Sequence, residues 1–178
     1  MGSLETIARF VNPEVYVAKD GIVKPTLEAV AELKARALDT PRKRCRLLLH
    51  RSIDDTLHQM IIVNGRSSYV RPHRNVTSSK SWQIVEGRLT FVRFDDEGRV
   101  VEHCFLGTAP DTDSLVIRLS ESCYHTLIPL TDQCVFLETI LGPFRGTTYA
   151  PWAPEESNAP QARAYFRQLC RAVGVECE

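Results

Sequence analysis

Hydrophobic and polar positions change their period twice along the chain, and the changes divide it into three stretches. Residues 1–12 mix apolar and polar positions with room for one brief helix, and 14–18 (EVYVA) read as a strand ahead of a Lys19-Asp20-Gly21 turn. From Pro25 the spacing becomes helical: Leu27, Val30, Ala31, Leu33 and Leu38 predict a helix over 25–38, with Pro25 in the first turn, where its missing N–H costs nothing. Thr40-Pro41 and the basic run Arg42-Lys43-Arg44 end it, and the run reads as a solvated connector. Short apolar or alternating runs then take over at 45–50, 57–63, 68–75, 81–86, 88–94, 99–105, 114–119, 124–129, 133–140 and 147–150. A period of two predicts strands, and Glu86-Gly87 and Asp95-Asp96-Glu97-Gly98 predict hairpin turns between them. So many short strands at this spacing predict a mainly β sandwich or barrel, a class that includes the jelly rolls. Pro143, Pro151, Pro154 and Pro160 break up a late loop that excludes a central strand. After it, Ala162, Tyr165, Phe166, Leu169 and Val173 mark an amphipathic helix packed outside the barrel and stopped by Gly174.

Alternation also sorts side chains by face. On a strand through 68–75, Tyr69, Arg71, His73 and Asn75 share one side, the side that can line a barrel. Along 133–140, Cys134, Phe136, Glu138 and Ile140 share one side, so a carboxylate sits among apolar neighbours and needs a partner.

Two sets of residues resemble known sequences. His73, Asn75, Lys80 and Gly87 keep the spacing of the first motif of the cupin superfamily, His-x-His, then Glu, then Gly, with four residues between Asn75 and Lys80 and six between Lys80 and Gly87. The phrases LLLH (47–50), YVRPHRN (69–75), the Phe94–Gly98 turn, YHTLIPLTD (124–132), VFLETILGPF (135–144) and APWAPEE (150–156) are similar to the WbuC-type cupin-fold metalloprotein family. The resemblance implies a mainly β cupin jelly-roll barrel over 45–156, an N-terminal strand and helix extension over 1–44, and a C-terminal helix over 157–178, in one structural domain. It also implies that His73 and His125 face one cavity, and that a divalent transition metal (Fe, Mn, Ni or Zn) belongs near His73, Asn75 and His125.

The residues present weaken that metal site. Asn75 stands for a histidine and Lys80 for the glutamate, and an ammonium has no lone pair to give a cation. Ser120 and Ser122 stand at the proline and glycine positions of the superfamily's second motif, leaving His125 to carry it. Glu138 has two readings, an ion pair with Lys80 or Arg71, or a metal ligand beside the two histidines. The alternative to a metal centre is a vestigial pocket with two hydrogen-bonded histidines.

Composition narrows the field. The 178 residues carry 22 Lys+Arg against 22 Asp+Glu, so no global field draws in nucleic acid. No run approaches the length of a membrane span. Six cysteines without a Cys-x-x-Cys pair, and no apolar N-terminal run, read as reduced thiols in a cytoplasmic protein, with Cys123 the one to test for reactivity. Met1-Gly2 with Thr6 fits a myristoylation pattern and Asn75-Val76-Thr77 a glycosylation sequon; both read as chance. His50 reads as a partner for buried backbone groups, and His58 and His103 as surface or strand-edge residues.

The expected function is a cupin binding a sugar or nucleotide sugar in bacterial surface-polysaccharide (O-antigen) metabolism. His73, His125 and Lys80 are the acid–base candidates for an isomerase or epimerase, and Tyr69, Arg71, Trp82 and Glu138 are the ligand contacts. Arg71 suits a carboxylate or phosphate unless it pairs at a rim, and Trp82 offers a stacking face unless it is core. The alternatives are a non-catalytic small-molecule-binding or regulatory module and a metal-dependent dioxygenase. A homodimer is expected from exposed strand edges.

Overall fold

A computed structural model of the chain describes residues 2–76 and 79–176. Met1, Thr77 of the sequon and Cys177 therefore lie outside the described residues. Among the described residues twelve strands form two sheets. The seven-stranded sheet runs β1 (Ala8–Asn12), β2 (Val15–Ala18), β3 (Arg44–Leu48), β4 (Leu57–Gly65), β11 (Gln133–Leu141), β6 (Lys80–Glu86), β9 (Val116–Leu119). The five-stranded sheet runs β12 (Thr147–Tyr149), β5 (His73–Asn75), β10 (Tyr124–Pro129), β7 (Arg88–Phe94), β8 (Val100–Gly107). All neighbours are antiparallel except β2 and β3.

Of the three helices, α1 (Leu4–Ile7) is a single turn, while α2 (Leu27–Asp39) and α3 (Ala159–Ala172) are the two that periodicity foretells. Thr26, rather than Pro25, opens α2: its hydroxyl accepts the Ala29 N–H at 3.1 Å, satisfying one of the free donors of the first turn. Leu33 and Ala37 of α2 then pack with Leu4 on Cys45, Leu47 and Val63, the outer face of the larger sheet. Each fully buried leucine there contributes about 1.5–3 kcal/mol. At the other side of the molecule, Phe166, Leu169 and Val173 close over Val92, Tyr124 and Ile128 of the smaller sheet. Gly174 follows α3 with φ +71°, where glycine meets no side-chain penalty.

One turn differs from expectation. β6 pairs with β11 and β9, not with β7, so Glu86-Gly87 is a corner where the chain passes from one sheet to the other. Gly87 sits at φ +81° with Thr131 Oγ1 and the Gln133 carbonyl so near that any Cβ would lie within 2.5–2.6 Å of them. The Asp95–Gly98 turn does join the β7–β8 hairpin.

Between the sheets the barrel is filled at one end by Trp82, Ile84, Leu89, Phe91, Leu127 and Phe136 and is hollow towards the other. Cys45, Cys104, Cys123 and Cys134 are free thiols. Cys170 is disulfide-bonded, which corrects the reading of all six cysteines as reduced. Among the described residues no helix is long and apolar enough to cross a membrane.

Candidate functional site

The hollow end is a cavity of about 330 Å³. Alternation on β3, β4, β6 and β11 supplies one wall, with Arg44, Arg46, His58, Met60, Asn64, Lys80, Trp82, Phe136 and Glu138, and β5, β10 and β12 supply the opposite one.

His125 and His73 are directly opposed in the β10–β5 pair, and their ring centroids are 4.7 Å apart. The Nδ1 atom of His125 lies 2.9 Å from the Cys123 carbonyl, and that of His73 lies 2.9 Å from the Arg71 carbonyl. A carbonyl only accepts, so both Nδ1 atoms carry the hydrogen and both neutral rings present an Nε2 lone pair. Burial, then the charge on Lys80, pull the His73 pKa down to about 4 and that of His125 well below its ordinary value; their mutual repulsion adds to the depression at His125. Neutral imidazoles are the stable state here.

Lys80 sits where these acceptors converge. It is 6% exposed, and its Nζ donates to Asn75 Oδ1 at 2.7 Å and to His125 Nε2 at 3.2 Å. Glu138 Oε2 is 3.9 Å away, an ion pair rather than a hydrogen bond, and the Trp82 ring centroid is 4.7 Å away. Burial lowers the Lys80 pKa and Glu138 opposes the shift. The ion pair between Glu138 and Lys80 is thus present, and Glu138 also accepts the Trp82 Nε1–H at 2.6 Å. His73 Nε2 has no hydrogen-bond partner among the described residues.

The donor set does not fit a metal. Asn75 Oδ1 and His125 Nε2 are spent on an ammonium that stands among them, and a second cation there would meet its repulsion. Among the described residues no group of three or more His, Cys, Asp or Glu is arranged to hold a metal ion.

Three of the four expected ligand contacts are engaged elsewhere, whereas Glu138 lines the cavity. Tyr69 does not line the cavity: its hydroxyl donates to the Pro154 carbonyl at 3.0 Å and its ring packs on Tyr165 and Phe166, in surroundings that raise its pKa by burial. The ladder of β5 begins only at His73, so the strict alternation that would have placed Tyr69 beside it does not reach back past Pro72. Trp82 is 1% exposed, with Phe91, His125 and Lys80 around its ring, so no face is left for a sugar. Arg71 lines the cavity, but its guanidinium donates to the Ala150 carbonyl at 3.1 Å, stacks near Tyr149 and lies 3.9 Å from Glu155. His58 is buried, not superficial, and stacks on His50 at a centroid distance of 4.0 Å. His50 does serve a backbone carbonyl, that of Gln59, and His103 is exposed. Burial pushes the Cys123 thiol pKa up, away from reactivity.

At the rim, Arg44 donates to Glu156 at 3.1 and 2.6 Å, and Arg42 donates to Glu156 at 2.8 Å and to Glu14. Burial alone would raise the Glu156 pKa, but the hydrogen bond and charge of Arg44, with Arg42, hold it low. Arg44 of the basic run is therefore an ion-paired part of the wall, Arg42 pairs with the same acid from the rim, and Lys43 donates to the Leu38 carbonyl. Arg44 and Arg46 share the face of β3 opposite Cys45 and Leu47, and that alternation was the signal for them.

Comparison with known proteins agrees with this architecture. Residues 26–106 match a family described as Domain of unknown function (DUF6016). No curated protein matches the sequence. Among solved structures, oxalate oxidase in complex with the substrate analogue glycolate is similar over 77% of this chain and 68% of that one, at 10% identity and a TM-score of 0.50. Peruvianin-I, a cysteine peptidase from Thevetia peruviana latex, is 12% identical over 53% of this chain and 55% of that one, with a TM-score of 0.43. Bacillus subtilis oxalate decarboxylase is 13% identical over 53% of this chain and 24% of that one, with a TM-score of 0.41. The chain thus spans about half the length of the second and a quarter of the third. The likeness to oxalate oxidase shows the fold, a cupin barrel with helices near both ends.

Proposed function

We propose that this cupin barrel binds one sugar-sized ligand and moves a proton on it without a resident metal. A cavity of about 330 Å³ lies at the small end of the roughly 300–1,000 Å³ range of ligand sites, which favours a single sugar or sugar acid over a whole nucleotide sugar. The resemblance to WbuC-type proteins supports a role for that sugar in bacterial surface-polysaccharide metabolism. The observation that carries the reading is the Lys80 ammonium fixed by Asn75 and His125 beside the unpartnered Nε2 of His73. Of its three N–H bonds, Asn75 and His125 take two, and Glu138 is too far to hydrogen-bond the third. That third N–H is free to meet a carbonyl oxygen of the ligand, while the His73 lone pair takes a proton from the adjacent carbon. His125 holds the lysine in place, a positioning role.

The test has two readings on the intact chain. In a thermal-unfolding screen of aldoses, ketoses and sugar acids, a ligand at 100 times its Kd adds about 2.7 kcal/mol, or roughly 5–10 °C for a chain of this size. Proton exchange from D₂O at the carbon beside the carbonyl, followed by NMR, then reports catalysis. His73→Gln and Lys80→Met are expected to abolish exchange. Binding with no exchange would leave the non-catalytic binding module, and no binding by any sugar would remove the proposal.

A further inference from the structure

Around the cavity every carboxylate is already committed, and one guanidinium is left over. Glu156 serves Arg42, Arg44 and the Arg71 backbone N–H; Glu14 serves Arg42, with Arg44 at 3.7 Å; Glu138 serves Trp82 and Lys80. Arg46 lines the same cavity, part-buried, and its guanidinium has no hydrogen bond or ion pair among the described residues. The four cavity cations Arg44, Arg46, Arg71 and Lys80 face three anions, Glu14, Glu138 and Glu156, so with neutral histidines the wall carries one surplus positive charge. The nearest charges to Arg46 do not cure this: burial lowers its pKa and the repulsion of Arg44 adds to the fall, with Glu138 the main opposing influence. A desolvated cation among like charges is costly. A guanidinium fork is matched by an oxyanion, which takes two parallel N–H bonds from it.

We infer that Arg46 is the anchor for an anionic group of the ligand, a carboxylate or phosphate, on the wall that also carries Lys80 and opposite the sheet that carries His73. This rests on the reading of the cavity as a sugar-sized site and names the class of sugar it takes: one that carries an acid. Arg71, the arginine that sequence spacing singles out for that task, is occupied by the Ala150 carbonyl and Tyr149.

Isothermal titration of the full chain with D-glucuronate, D-glucose 6-phosphate and D-glucose tests it, and the two charged arms separate carboxylate from phosphate. Wild type is expected to bind at least one charged sugar tenfold or more tighter than glucose. Arg46→Gln is expected to erase that preference with glucose affinity kept, and Arg46→Lys to restore part of it. Without ligand, Arg46→Gln is expected to melt no lower than wild type, because it removes an uncompensated charge; a guanidinium with a purely structural role would give a lower melting temperature. The inference is overturned if Arg46→Gln binds the charged sugars as wild type does. It is also overturned if wild type binds glucose as well as its charged relatives, a result that leaves the cavity reading standing. Failure of all three sugars to bind would sink the cavity reading itself.

Discussion

Acid should destabilise this protein through two buried rings, and the effect follows from their burial beside the Lys80 ammonium. His73 and His125 are neutral in the fold, each with Nδ1–H on a carbonyl and with Lys80 beside them. Both folded pKa values lie below the unfolded value of 6.5, that of His73 at about 4. The unfolded chain therefore binds protons that the native chain refuses, so stability is full above pH 6.5 and is lost as the pH falls towards the folded values. At about 1.4 kcal/mol per proton per pH unit, moving from pH 7 to pH 5 costs about 2 kcal/mol for His73, and His125, depressed by the same causes, adds to the loss in the same direction. Urea unfolding at a series of pH values measures this, with the His73→Gln, His125→Gln double variant as reference. Carboxylates and His50 titrate in both proteins and cancel in the difference. Lys80→Met should fall between the two, because it removes the ammonium's repulsion but leaves the burial. If the double variant loses as much stability as wild type between pH 7 and pH 5, the rings are not held neutral and the description of the site is wrong.

Three further outcomes follow from single contacts. Lys80 has a lowered pKa in the fold, so wild type should gain stability as the pH rises through its folded value towards 10.5, and Lys80→Met should lack that gain in alkaline denaturation curves. Trp82→Phe keeps the ring but strands the Glu138 oxygen that now accepts a 2.6 Å hydrogen bond, and should cost about 2 kcal/mol in chemical denaturation. Gly87→Ala should cost about 3 kcal/mol or prevent folding, read by soluble yield and melting temperature, since its Cβ would fall 2.5 Å from Thr131 Oγ1 at a positive φ.

Local periodicity made much of the fold legible, because which way a side chain points on a regular strand depends only on its neighbours. The runs at 88–94, 124–129 and 133–140 correspond closely to β7, β10 and β11, and Phe136, Glu138 and Ile140 do share the cavity face. The placement of His73 against His125 agrees with the cupin resemblance. What alternation could not reach was anything set by pairing. Gly87 looked like a hairpin turn because a turn residue records a change of direction and not the sheet that follows. Alternation places Tyr69 on the cavity side, and its ring lies against α3 instead, because strand phase does not survive the segment before Pro72. The role of Arg46 is not legible in the sequence because it rests on a missing counter-charge, which depends on the carboxylates of Glu14, Glu138 and Glu156 being engaged elsewhere.

The rim cluster of Glu14, Arg42, Arg44 and Glu156 has a practical consequence for dissecting the chain. It joins residues from before the barrel to residues from the loop that leaves it, with Arg42 and Glu156 separated by 114 positions. A fragment trimmed to 45–156 would keep Glu156 and discard all three of its rim companions, leaving that acid only the Arg71 backbone N–H. Such a fragment would present a differently charged doorway, so ligand specificity measured on it would not be that of the intact polypeptide.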